Sequence, residues 1–145
     1  MNNDDAKPAF GRGDATFLAA GGEQGIANLV DIFYTLMEEE PCYSPIWVQH
    51  RSGRSEMRAR LTAFLCGWMG GPRLYNERFG SISIPGVHQH LQVTELERDL
   101  WLQCMQSALN KAGYPDTFKA YVLKQLSYPA ERIRQVCARI AQNAV

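Results

Sequence analysis

The sequence predicts an all-α protein. Large apolar residues recur at spacings of three and four along most of the chain. Glycine and proline punctuate the gaps, and no stretch alternates apolar and polar residues far enough to build a sheet. With 145 residues, 46% of them hydrophobic, the chain can bury one core but not two. The expected organisation is a flexible N-terminal extension over 1–15 and a single domain over 16–145.

The domain begins with a short apolar stretch, Phe17 to Ala20, broken by Gly21-Gly22 so that the next segment can leave at an angle. In that segment Ile26, Leu29, Val30, Phe33, Leu36 and Met37 share one face, and Pro41 marks its end. Residues 41–50, with Pro41 and Pro45 among aromatics, read as a loop packed on the body. Met57, Leu61, Phe64, Leu65 and Trp68 mark a second helix, which Gly70-Gly71-Pro72 stops.

Residues 73–87 read as irregular. Ile82 and Ile84 alternate with serines, but a lone strand has nothing to pair with, so a loop leading into a short helix is expected. Thr94 and Glu97 form a capping-box pattern ahead of Leu100, Trp101, Cys104, Met105, Ala108 and Leu109, and Gly113 ends that helix. The last helix starts near Pro115 with Phe118, Tyr121, Val122 and Leu126. Pro129 should kink or split it before Ile133, Val136, Cys137 and Ile140 resume the pattern.

Lysine plus arginine and aspartate plus glutamate both number 15, so the charge balance draws the chain toward neither nucleic acid nor an anionic membrane. No apolar run approaches the roughly 20 residues that cross a bilayer. The start, MNNDDAKPAFGRGDA, is polar rather than signal-like, and a cytoplasmic protein is expected. Cys42, Cys66, Cys104 and Cys137 form no CxxC pair and should be reduced and mostly buried.

Three histidines, His50, His88 and His90, are the residues best suited to bind a borderline metal or titrate near neutrality. The HxH at 88–90 has no Cys or His companions at zinc-finger spacing. On residue type alone, a structural or surface histidine is the plainer reading of each. Tyr34 and Trp101 likewise read first as core aromatics.

Several motifs together say more. Gly21-Gly22, Phe33-Tyr34, the run Gly67-Trp68-Met69-Gly70-Gly71-Pro72 with Tyr75, and His88 nine residues ahead of Glu97-Arg98-Asp99-Leu100-Trp101-Leu102-Gln103-Cys104-Met105 resemble the group II truncated haemoglobins over residues 17 to about 128. The resemblance implies a two-on-two helical sandwich around haem b (iron protoporphyrin IX), with His88 as the iron ligand. It implies Tyr34 and Trp101 as distal hydrogen-bond donors, His50 as a third, variable distal residue, and Met57 and Leu61 as pocket lining. Arg60 would reach a haem propionate, and Tyr75 and Leu91 would add cofactor contacts. Where relatives carry basic residues before the proximal histidine this chain has Pro85-Gly86-Val87. Proline and phenylalanine at the next two positions of interest are replaced by His90 and Leu91.

The implied function is binding of dioxygen and other diatomic ligands, carbon monoxide and nitric oxide, with oxygen transport or detoxification of nitric oxide or peroxide as roles. Residue types do not separate a carrier from a nitric oxide dioxygenase or a peroxidase-like enzyme: His50 is the histidine placed to act as a distal base, whereas Tyr34 and Trp101 suit ligand retention. A homodimer is compatible with this reading. The alternative is a haem-poor globin-like sensor or interaction module.

Overall fold

The computed structural model describes residues 9–50, 54–80 and 93–143, with the backbone alone at 50, 54, 55 and 143. Among them every regular element is helical: α1 (Ala15–Ala19), α2 (Gly22–Glu39), a 3₁₀ turn (Pro41–Tyr43), α3 (Ser44–His50), α4 (Arg54–Trp68), α5 (Leu74–Phe79), α6 (Glu95–Ala112) and α7 (Asp116–Asn143). The stretch at 82–87, weighed as strand or loop, lies outside the described residues.

Helix α2 follows from its pattern. Ile26, Leu29, Val30, Phe33, Tyr34 and Met37 are buried on one side. It ends where Glu40 is forced extended (φ −91°, ψ 118°) by the proline that follows. Its buried face packs against both α4 and α6, and α6 packs in turn against α7, so the pairs α2–α4 and α6–α7 are joined through the α2–α6 contact. For α6, the carboxylate of Glu97 accepts from the Thr94 backbone N–H at 2.7 Å and from its hydroxyl. Gly113 closes the far end with φ 82°, the left-handed value that suits glycine.

Close approach explains two glycines. A Cβ on Gly25 would sit 2.1 Å from the Ala20 carbonyl oxygen, and one on Gly70, itself at φ +92°, would sit 1.8 Å from the Gly13 carbonyl oxygen. The backbones of α1 and the incoming N-terminal segment therefore lie directly on α2 and on the turn after α4. Phe17 N–H donates to the Met69 carbonyl at 3.0 Å across the second junction.

The structure corrects two expectations and narrows a third. Residues 41–50 are a 3₁₀ turn and a helix rather than a loop. Pro41 and Pro45 sit in first turns, where the missing N–H costs nothing, and Tyr43 and Ile46 are buried beneath them. Within 73–87, residues Leu74–Phe79 form a helix, fixed by burial of Leu74 and Tyr75 and by the Tyr75–Phe79 ring contact at 5.2 Å. Of the kink or split expected at Pro129, the split does not occur, since α7 runs through it as one element. Ahead of α1, Phe10 packs on Phe118 and Tyr121 at 5.7 and 5.2 Å, and Gly11 N–H donates to the buried Thr16 hydroxyl at 2.8 Å.

None of the four cysteines forms a disulfide among the described residues; Cys66, Cys104 and Cys137 are buried and Cys42 is exposed. No described helix is long and apolar enough to cross a membrane.

Candidate functional site

Helix α2 presents Tyr34 inward, 6% exposed, and α6 presents the half-buried Trp101; both rings lie against Phe33, each with centroids 5.1 Å apart. The sequence positions 34 and 101 thus meet through one shared aromatic neighbour. Burial pushes the Tyr34 phenol well above its ordinary value of 10.0, outweighing the opposing pull of the Arg58 guanidinium, and the Cys104 thiol adds to the rise. A phenol in that position stays protonated through the physiological range, so it keeps a hydrogen to donate. The Cys104 thiol, pushed up to about 12 chiefly by burial, donates weakly to the Phe33 carbonyl at 3.4 Å and helps hold that ring's backbone.

Along α4, Met57, Leu61, Phe64 and Trp68 recur four, three and four residues apart, and each is packed on the core yet only half buried. The same holds for Phe79 of α5 and Leu100 of α6. Large apolar side chains left partly exposed on three elements are the chemistry that a flat, mostly apolar group would cover.

Arg60 lies on this helix beside the stripe. Its Nε and Nη2 donate to Glu56 Oε1 at 3.0 and 2.7 Å, and its Nη1 donates to Tyr75 Oη at 2.8 Å. The guanidinium sits 4.5 Å from the Phe79 ring centroid, and its side chain remains 41% exposed. Arg60 and Tyr75, named separately from the sequence, are therefore direct partners at the α4–α5 junction. An exposed guanidinium held at that edge has donors that could turn to a carboxylate.

His88, His90 and Leu91 lie outside the described residues, as does the His50 side chain, although the His50 backbone closes α3. The sequence reading missed Arg58. Its guanidinium lies 5.6 Å over the Tyr34 ring, and its Nη1 donates to the Asp31 carbonyl at 3.1 Å and to the Asp31 carboxylate. A surface charge next to Met57 carries no signal of its own, because the contact joins residues 27 apart in sequence.

The bacterial-like globin family model matches residues 15–135. The chain is 29% identical over 112 residues to the group 2 truncated hemoglobin YjbI of Bacillus subtilis (strain 168), spanning 77% of this chain and 83% of that one. The crystal structure of the group II truncated hemoglobin from Bacillus anthracis superimposes with a TM-score of 0.74 at 30% identity, covering 88% of this chain and 92% of that one. The group II 2-on-2 hemoglobin of Agrobacterium tumefaciens matches with a TM-score of 0.77 at 24% identity, over 82% and 92% of the two chains, and so supports the fold alone.

Proposed function

Since this chain belongs to the bacterial-like globin family, among the group II truncated haemoglobins, we propose that it holds haem b through His88 and uses Tyr34 and Trp101 to retain dioxygen. Membership carries haem and small-ligand binding; the residue roles are the proposal. When bound, haem supplies an iron centre that takes up diatomic ligands. The rest falls to the chain. His88 would hold the iron through one ring nitrogen, leaving the other to donate a hydrogen bond that fixes the ring. Tyr34 and Trp101 carry a phenol O–H and an indole N–H, donors that favour a ligand on which negative charge builds up. Met57, Leu61 and Leu91 would exclude water, Arg60 and Tyr75 would meet a propionate, and His50 would add a variable polar contact.

The observation that carries this reading is the meeting of a buried, protonated Tyr34 with Trp101 on the ring of Phe33. The partly exposed apolar stripe of α4 supports the same reading. Redox detoxification of nitric oxide or peroxide is the finer role we attach to it, read out by stopped-flow mixing of the dioxygen-loaded protein with nitric oxide.

The test is a matched pair of variants. His88→Ala should lower haem retention and change the ferrous spectrum, whereas His90→Ala should leave that spectrum nearly unaltered. The opposite pattern would place the iron ligand two residues later and overturn the assignment.

A further inference from the structure

Arg58 is unlike an ordinary surface ion pair in two ways. It is the more buried partner, its side chain 26% exposed against 71% for Asp31. It is also stacked on the aromatic ring whose hydroxyl the proposed site depends on, 5.6 Å from the centroid. One nitrogen is held by both the carbonyl and the carboxylate of Asp31, so the head group is fixed over the ring rather than free to swing into solvent.

We propose that Arg58, clamped by Asp31, is a positioning residue that acts through Tyr34: it fixes the orientation of the phenol and polarises its O–H, so that Tyr34 donates more strongly to a bound diatomic ligand. This rests on the reading of Tyr34 as a distal donor given above. A cation over a π face attracts the ring's electrons and draws density from the attached oxygen. In a site shielded from water that field is screened less than at the surface. Among the described residues the neutral Cys104 thiol from α6 also bears on the Tyr34 phenol, as does, through Arg58, the Asp31 carboxylate of its own helix; neither supplies a positive charge, whereas Arg58 does.

The experiment uses the haem-loaded ferrous protein and compares the dioxygen dissociation rate and the C–O stretching frequency of the carbon monoxide complex. The proteins are the parent, Arg58→Met, Arg58→Lys, Asp31→Asn, Tyr34→Phe and the double variant Tyr34→Phe/Arg58→Met. Arg58→Met should speed dioxygen release roughly two- to five-fold, the range for a partly exposed cation–π contact. It should raise the C–O frequency in the same direction as Tyr34→Phe. Arg58→Lys should restore part of both effects, Asp31→Asn should show a smaller loss, and in the Tyr34→Phe background Arg58→Met should add nothing. An equal effect in that background would mean that Arg58 acts on the ligand directly, and no effect in the parent would mean that it does not act at all; either overturns the proposal.

A second readout needs no haem. The ¹³Cζ resonance of Tyr34, assigned by its absence in Tyr34→Phe, should move in haem-free Arg58→Met. If it moves while Tyr34→Phe leaves dioxygen release unchanged, the Arg58–Tyr34 coupling stands and the distal role of Tyr34 falls. An unmoved resonance rejects the coupling itself.

Discussion

Tyr34 and Trp101 are both aromatic donors, but they differ in what their loss does to the pocket. Replacing Tyr34 by phenylalanine removes a hydroxyl and little volume, whereas Trp101→Phe also opens a cavity. A hydrogen bond to a charge-bearing acceptor is worth roughly 1.5–3 kcal/mol, about one to two decades in an equilibrium constant. Each single substitution should therefore raise the dioxygen dissociation rate by several-fold or more. Carbon monoxide carries less negative charge when bound, so its release should respond less. Because both rings lean on Phe33, the double variant should fall short of additive. Dissociation rates for both gases in the four proteins decide the matter, and equal acceleration of the two would make these residues steric gates instead of donors.

At the scale of elements, α2 and α6, which carry those residues, are each braced by a further contact. The first is the α1–α2 junction, where Gly25 leaves room for the Ala20 carbonyl. Gly25→Ala would drive a methyl into backbone and should cost on the order of 1–3 kcal/mol, read as a lower midpoint in denaturant with an unchanged slope. The second is the α6–α7 pair. Glu131 accepts from Arg98 at 2.7 Å and from Arg134 Nε and Nη2 at 2.7 Å each, and these partners, Arg134 first, hold its carboxyl well below the usual range. A carboxylate depressed in the folded state stabilises above its unfolded value and loses that contribution as pH falls through the folded one. Glu131→Gln should thus lower the melting temperature at neutral pH, and the gap from the parent should close as the medium is acidified below about pH 4. A constant gap would mean that packing, rather than charge, explains the loss.

Which elements the sequence revealed follows from their length. Helices α2 and α6 span 18 residues each, long enough for an apolar period to declare itself, and the cap of α6 is written in Thr94 and Glu97. Helices α3 and α5, at 7 and 6 residues, show barely one or two turns and are stabilised by what they touch. For α5 that is Arg60, arriving from another helix onto Tyr75 and Phe79. Prolines 41 and 45 suggested a loop because proline ends helices more visibly than it begins them. The same limit applies to the site. Tyr34, Trp101, Arg60 and Tyr75 are candidates through the family resemblance, whereas Arg58 is defined only by a cross-helix contact.

Taken whole, the molecule buries the apolar face of α2 but leaves Met57, Leu61, Phe64 and Trp68 of α4 partly exposed, together with Phe79, Leu100 and Trp101. Apolar surface of that kind weakens the chain alone and rewards whatever covers it. If haem is the group that does so, it binds the folded chain and not the unfolded one, and stability must rise with free haem by mass action. At a haem concentration about 100 times the dissociation constant the gain is roughly 2.7 kcal/mol. For a domain of this size that corresponds to a rise of about 5–10 °C in melting temperature. The increment should grow with further haem and shrink in His88→Ala, while apolar contacts preserve part of it. The measurement is a series of melting curves on the haem-free protein titrated with haem, each paired with its Soret absorbance. A melting temperature that ignores haem, with no Soret band, would leave the α4 stripe without its proposed occupant and would favour a haem-poor sensor or interaction module over a ligand-binding haemoglobin.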